Sequence, residues 1–78
     1  MVKLYTKDKC PNCKQTKRML KASSIDFIEV NVMKDDKAFD KVKNELGFTN
    51  LPVVEADGYE TFEYNKTMVA NFIKGYNK

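Results

Sequence analysis

Histidine and tryptophan do not occur in this 78-residue sequence, and cysteine occurs only twice. Histidine is the one side chain whose unperturbed pKa lies between about 5 and 8. Its absence excludes reactions and metal sites that depend on an imidazole. Two cysteines are also too few for a small secreted scaffold, which usually carries several disulfides distributed along the chain.

Long apolar runs are missing as well. No stretch approaches the ~20 apolar residues that a membrane-spanning helix requires. The first ten residues, MVKLYTKDKC, are too short and too charged for a secretory signal peptide. We therefore expect a cytoplasmic protein with no membrane partner.

What is present is the composition of an ordinary globular domain, with 42% hydrophobic and 32% charged residues. The net charge of +3 is mild, and the basic residues are not clustered with aromatic ones as nucleic-acid binding requires. We therefore expect residues 1–78 to form a single, monomeric domain with no nucleic-acid partner.

The hydrophobic pattern predicts seven elements in the order β-α-β-α-β-β-α. The predicted strands cover residues 2–6, 25–32, 51–55 and 59–62. The first helix starts at Pro11, a residue suited to the first helical position, and ends at Leu20 or Ala22. The last helix starts at Asn65 or Thr67. The dipeptide at residues 57–58, Asp-Gly, predicts a tight hairpin between the last two strands.

The second helix is predicted to open at Asp35-Asp36 and to end near Gly47. Phe39, Val42 and Leu46 fall on one face of it. Because phenylalanine is usually buried, we expect three of these residues in the core: Phe39, Phe48 and Phe72.

The element order also predicts the topology. The first two strands should be parallel with a right-handed crossover, and the last two antiparallel. The prediction is an α/β domain with a four-stranded mixed sheet and helices on both faces.

The two cysteines, Cys10 and Cys13, lie in the segment Cys-Pro-Asn-Cys. A disulfide that closes so short a loop barely restricts the unfolded chain, so the pair indicates chemistry rather than cross-linking. Cys10 is predicted to be the N-cap of the first helix, where unpaired amide hydrogens and the helix dipole favour a thiolate. Lysines at positions 7, 9 and 14 add positive potential. We therefore expect the pKa of Cys10 to lie below the ~8.5 of a free cysteine.

Cys13 lies one helical turn after Cys10, on the same side of the helix. This spacing suits a two-step exchange, in which Cys10 attacks a substrate disulfide and Cys13 then resolves the mixed disulfide. Cys13 is expected to be the more enclosed sulfur. We therefore predict that Cys10 and Cys13 are catalytic and that no bound cofactor is needed.

Other interpretations of the pair stay open. Zinc normally takes four ligands, so a zinc site would need carboxylates or a second subunit. Cys10 could instead hold a metal or an iron–sulfur cluster in a dimer, or the domain could be a non-catalytic interaction module.

Three segments together carry a resemblance to a known family: the strand at residues 3–6 (Lys-Leu-Tyr-Thr), the Cys-x-x-Cys, and the segment at 51–54 (Leu-Pro-Val-Val). The chain resembles the glutaredoxin branch of the thioredoxin-fold superfamily, and within it the NrdH-type redoxins, which carry electrons to ribonucleotide reductase. The resemblance implies a thioredoxin-like fold and a cis bond before Pro52. It also implies that the Leu51 backbone pairs with an extended substrate segment.

The resemblance further implies a protein disulfide as substrate, with ribonucleotide reductase as the partner and thioredoxin reductase or glutathione as the reductant. Tyr5 either flanks the sulfur or fills the core. The residues expected to bind substrate are Tyr5, Lys7, Pro11, Asn12, Leu51 and Pro52.

Two departures from the family bear on the reductant. Glutathione-using glutaredoxins carry a Gly-Gly-Asp-type turn before the last helix, whereas residues 63–67 here read Glu-Tyr-Asn-Lys-Thr. The Trp-Ser-Gly-Phe segment usual in ribonucleotide-reductase redoxins is replaced by Thr-Phe-Glu-Tyr at residues 61–64. A glutathione-dependent glutaredoxin is therefore kept as the alternative within the same class.

Overall fold

Four short strands form one mixed sheet in the order β2-β1-β3-β4 in the computed structural model, which describes residues 2–48 and 50–76. The strands are β1 (Val2–Thr6), β2 (Phe27–Asn31), β3 (Val53–Ala56) and β4 (Phe62–Glu63). β1 pairs in parallel with β2 and antiparallel with β3, and β3 pairs antiparallel with β4. β1 lies between β2 and β3, and four of its five residues are buried. The predicted mixed sheet is confirmed.

In the described part of the chain, three α-helices flank the sheet, and local sequence determines where each begins. They are α1 (Pro11–Ala22), α2 (Asp36–Asp40) and α3 (Lys66–Tyr76). The Asp35 carboxylate caps α2 by accepting from the amides of residues 37 and 38. The Asn65 carboxamide oxygen caps α3 by accepting from the amides of residues 67 and 68. Both side chains pair amides that would otherwise lack partners, as N-caps do.

The core is divided by the sheet into two clusters. On one face, Leu20 of α1 and Phe72 of α3 pack with residues of the central strands, including Leu4. On the other face, Val42, which follows α2, packs with Tyr5 and other residues of the sheet. Because β1 side chains alternate between the two faces, one strand contributes to both clusters. The predicted placement of helices on both faces is confirmed.

The last strand differs from the prediction. A strand over residues 59–62 was expected directly after the Asp57-Gly58 turn, whereas β4 begins only at Phe62. The turn itself forms, with the Tyr59 amide donating to the Ala56 carbonyl. The Tyr59 ring then packs against α3, with ring centroids 5.2 Å from Phe72 and 5.7 Å from Tyr76. Contacts with this distant helix therefore replace strand pairing at Tyr59.

The prediction that Phe39 lies in the core is wrong, since 46% of this residue is exposed. Ala38 and Val42, four residues apart, face the sheet, so Phe39 is rotated by about 100° away from it. After Asp40 the helix widens into a π-helical turn at Lys41–Glu45, in which the Leu46 amide donates to the Lys41 carbonyl. This wider turn changes the helical spacing between Val42 and Leu46, which the predicted face treats as regular α-helix.

Within the described residues, no helix is long and apolar enough to cross a membrane.

Candidate functional site

The site begins at a sharp change of direction after β1. Lys9 has a φ of +56°, in the left-handed region that non-glycine residues seldom adopt. Cys10 follows with extended backbone and is the N-cap of α1. The Asn31 side-chain amide donates to the Asp8 carboxylate at 2.8 Å, which ties this loop to the end of β2. The turn is thus held from both ends, and it directs the Cys10 side chain toward the helix start.

Cys10 and Cys13 form a disulfide, with their Cα atoms 5.2 Å apart. The Cys13 amide donates to Cys10 Sγ at 3.2 Å. This bond is the helix-start interaction expected from the sequence, and it would stabilise negative charge on Cys10 in the reduced protein. That Cys10 ionises more readily than a free cysteine stays a prediction. Cys10 is 5% and Cys13 2% exposed, so both sulfurs are nearly covered.

The segment before β3 faces Cys10 from the opposite side. The Leu51–Pro52 peptide bond is cis, as the resemblance predicts. The Leu51 carbonyl oxygen lies 3.7 Å from Cys10 Sγ. Pro52 is buried, and Leu51 is half-buried. The structure therefore brings together two chain segments that are about 40 residues apart in sequence.

Three of the predicted substrate-binding residues lie on the surface around this point. Lys7, Pro11 and Asn12 are exposed, and the last two separate the cysteines in the sequence. They form the outer edge of the site, whereas the sulfurs lie beneath it. Their contact with a substrate stays a prediction.

Tyr5 is placed in the second core cluster, so of its two predicted roles the packing role is the one observed. Its hydroxyl donates to Glu55 at 3.1 Å, and Lys41 donates to the other Glu55 oxygen at 2.9 Å. The Lys41 ammonium also lies 5.7 Å from the Tyr5 ring centroid. The bond from Lys41 holds the pKa of Glu55 below its ordinary value and raises the pKa of Lys41, and burial raises the pKa of Tyr5. This network fastens the turn after α2 to the sheet.

A pH-dependent stability follows from this network. Because the pKa of Glu55 is lower in the folded chain, its contribution is present above its unfolded value of about 4.5 and is lost as the pH falls through the folded value. We expect Glu55→Gln to reduce the free energy of unfolding by about 1 kcal/mol at pH 7, and by less at pH 3. Urea unfolding at both pH values measures this.

The control for that experiment is the Lys41→Met variant, alone and combined with Glu55→Gln. The two losses at pH 7 should be less than additive, because each variant removes the same ion pair. An equal loss from Glu55→Gln at pH 3 and pH 7 would contradict the assignment.

A cavity of about 290 Å³ adjoins the site and was missed in the sequence. Its apolar lining consists of Val32, Met33, Phe39, Val42, Phe48 and Leu51. Lys7 and Lys43 also line it, and the Lys43 ammonium lies 5.4 Å from the Phe39 ring centroid. Leu51 connects this cavity with Cys10, because its carbonyl contacts the sulfur. The only sequence indication was the spacing of Phe39 and Val42, which we interpreted as core.

Two threonines, Thr6 and Thr16, are buried near the site and were also missed. The Thr6 hydroxyl donates to Glu29 at 2.8 Å, and this bond holds the pKa of Glu29 below its ordinary value. Lys17 of α1 pairs with the same carboxylate at 3.1 Å, so α1 is fastened to β2. Thr16 lies on the buried face of α1, as Cys13 does.

The arrangement of potential metal ligands is known for residues 2–48 and 50–76. No group of three or more histidine, cysteine, aspartate or glutamate side chains is placed there to hold a metal ion.

Comparison with known proteins gives consistent matches. The glutaredoxin family model matches residues 2–59. An uncharacterized glutaredoxin-like 8.6 kDa protein in the rubredoxin operon of Clostridium pasteurianum is 35% identical over 74 residues, covering 95% of this chain and 99% of that protein. The glutaredoxin-like protein NrdH of Lactococcus lactis is 36% identical over 59 residues, covering 76% and 81%.

Among solved structures, the NrdH-redoxin of Escherichia coli superposes with a TM-score of 0.79 at 30% identity. The superposition covers 90% of this chain and 91% of that one. That protein is described as glutaredoxin-like with a thioredoxin-like activity profile.

Proposed function

Because this chain belongs to the glutaredoxin family and is a thiol–disulfide oxidoreductase of the NrdH-like type, we propose that it reduces a disulfide of ribonucleotide reductase and is itself reduced by thioredoxin reductase. The observation that carries the proposal is the set of contacts that the Cys10 sulfur makes. It accepts the Cys13 amide at the start of α1, is paired with Cys13, and lies against the Leu51 carbonyl.

The proposed reaction has two exchanges. The Cys10 thiolate attacks one sulfur of the substrate disulfide, whose S–S bond breaks, and the other substrate sulfur leaves as a thiolate and takes up a proton. Cys13 then loses its proton and attacks Cys10 Sγ, which releases the second substrate sulfur. Two electrons have passed to the substrate, and the Cys10–Cys13 disulfide remains for the reductase to reduce.

A protein substrate is supported by the cavity beside Cys10. Its apolar lining suits an apolar side chain of the substrate, while Lys7 and Lys43 suit an acidic group next to it. Leu51 borders both the cavity and Cys10. We therefore assign this cavity to the substrate segment that flanks the reacting disulfide.

The start of α3 argues against glutathione as the reductant. In glutathione-using glutaredoxins, glycines at this position let the backbone approach the glutathione carboxylate. Here the amides of Thr67 and Met68 already donate to the Asn65 side chain. A carboxylate would have to displace this cap, which is typically worth about 1 kcal/mol. The description of the Escherichia coli redoxin as thioredoxin-like in activity supports the same choice.

A coupled assay tests the proposal. One arm supplies NADPH and thioredoxin reductase, the other supplies NADPH, glutathione and glutathione reductase, and oxidised ribonucleotide reductase accepts the electrons in both. We expect efficient NADPH consumption in the first arm only. Efficient turnover through glutathione alone would favour the glutathione-dependent alternative.

An unrelated disulfide protein in place of ribonucleotide reductase should be reduced more slowly; equal rates would contradict the named partner.

Docking of the protein substrate in this cavity predicts that Phe39→Ala affects the protein substrate and not a small disulfide. Because Phe39 is half exposed, its loss should leave folding intact and remove apolar contact with the protein substrate. We expect KM for ribonucleotide reductase to rise roughly three- to tenfold, with little change for a small disulfide such as cystine. Ile28→Ala serves as the control, since Ile28 is similarly exposed and does not line the cavity. An equal KM rise in both variants would refute the docking assignment.

A further inference from the structure

Thr16 lies where α1 is most completely buried. The buried residues of this helix are Cys13, Thr16 and Leu20, and Thr16 is 0% exposed. Thr16 therefore lies about one helical turn from Cys13 and about one turn from Leu20, which packs in the core. It is the polar residue of the three. Thr16 lies outside the two-step exchange proposed above.

Among residues 2–48 and 50–76, the hydroxyl of Thr16 has no hydrogen-bond partner. A helical threonine ordinarily satisfies its hydroxyl by bonding the carbonyl three or four residues earlier, but this bond is not formed here. Thr6, the other buried polar residue, donates to Glu29. A buried polar atom without a partner is unfavourable, so the Thr16 hydroxyl requires an explanation.

Helix geometry makes Thr16 a neighbour of Cys13. Residues three apart are neighbours on a helix surface, and Cα–Cβ bonds tilt toward the helix N-terminus. The Thr16 side chain therefore leans over the turn that carries Cys13. Both residues are on the buried face of α1, where water does not reach them.

The redox state changes whether the Cys13 sulfur needs a hydrogen-bond partner. In the disulfide, its sulfur is bonded to Cys10 and carries neither a proton nor a charge. Reduction adds two electrons and two protons to the pair, breaks the S–S bond and leaves a buried thiol or thiolate at Cys13. This sulfur, at 2% exposure, then needs a partner from the protein.

We propose that Thr16 is a positioning residue whose hydroxyl donates to Cys13 Sγ in the dithiol form and lacks a partner in the disulfide form. The proposal rests on the roles assigned above to Cys10 and Cys13. The bond stabilises the reduced protein selectively, and it holds Cys13 for its attack on Cys10. The hydroxyl without a partner is thus a feature of the oxidised state only.

Thr16→Val tests this, because valine has the same shape and lacks the hydroxyl. The measurement is the equilibrium constant for disulfide formation, from titration against dithiothreitol redox buffers. We expect a roughly tenfold shift toward the disulfide, which equals about 30 mV in the negative direction. Thr16→Ser retains a hydroxyl and should restore the wild-type constant.

Urea unfolding of both redox forms provides the second measurement. The oxidised Thr16→Val protein should be at least as stable as the wild type, whereas the reduced protein should be less stable. An unchanged equilibrium constant, or equal stability changes in the two forms, would overturn the proposal and leave the proposed function intact. Failure of the wild-type pair itself to cycle would refute the proposed function instead.

Discussion

Cys13→Ser is expected to stop the reaction halfway, with the substrate held on Cys10 as a mixed disulfide. Serine fits the space of Cys13 and keeps the amide that donates to Cys10 Sγ, so the first attack should be preserved. The second attack cannot occur, because a hydroxyl does not exchange with a disulfide. Incubation with ribonucleotide reductase, followed by non-reducing electrophoresis and mass spectrometry, should show a covalent complex through Cys10.

Cys10→Ser is the matched control and should form no complex, with turnover reduced to the uncatalysed rate. Reduction with dithiothreitol should release the substrate from the Cys13→Ser complex. If Cys10→Ser captures substrate instead, the order of attack is reversed. If neither variant captures any, the two-step exchange is refuted, and the interaction-module alternative regains support.

Much of this site was accessible from the sequence because it depends on local rules. Pro11 directly after Cys10 indicates a helix start, so Cys10 must be the N-cap, and the structure places it there. The three-residue spacing then brings Cys13 to the same side. The approach of Leu51 to Cys10 was predicted only through the family resemblance, because no local rule connects residues 41 positions apart.

The features that sequence reasoning missed depend on contacts between distant residues. The Asp57-Gly58 pair predicts a turn, but only the packing of Tyr59 on α3 decides that the next residues do not pair. Helical periodicity places Phe39 and Val42 on one face, but it does not show that the sheet packs against Ala38 and Val42 and leaves Phe39 turned away. Phe39 is therefore available to the cavity beside Cys10, where the proposed substrate contact lies.

Function depends on the small core as well as on the cysteines, and α1 connects the two. Leu20 is fully buried on the same helix face as Cys13 and Thr16, and it packs in the cluster shared with α3. A domain of this size has little stability in reserve, so the loss of one large core side chain should be severe.

We expect Leu20→Ala to lower the free energy of unfolding by about 2–5 kcal/mol, or roughly 10–40 °C in Tm, as a cavity opens between α1 and the sheet. Thermal and urea unfolding of the oxidised protein measure both quantities. Met68→Ala, in a half-exposed position on α3, removes a side chain of similar size and should change stability by less than about 0.5 kcal/mol. Equal losses would show that Leu20 does not anchor α1.

Well below its Tm, the Leu20→Ala protein should still form the Cys10–Cys13 disulfide, because the N-cap geometry of Cys10 is determined locally.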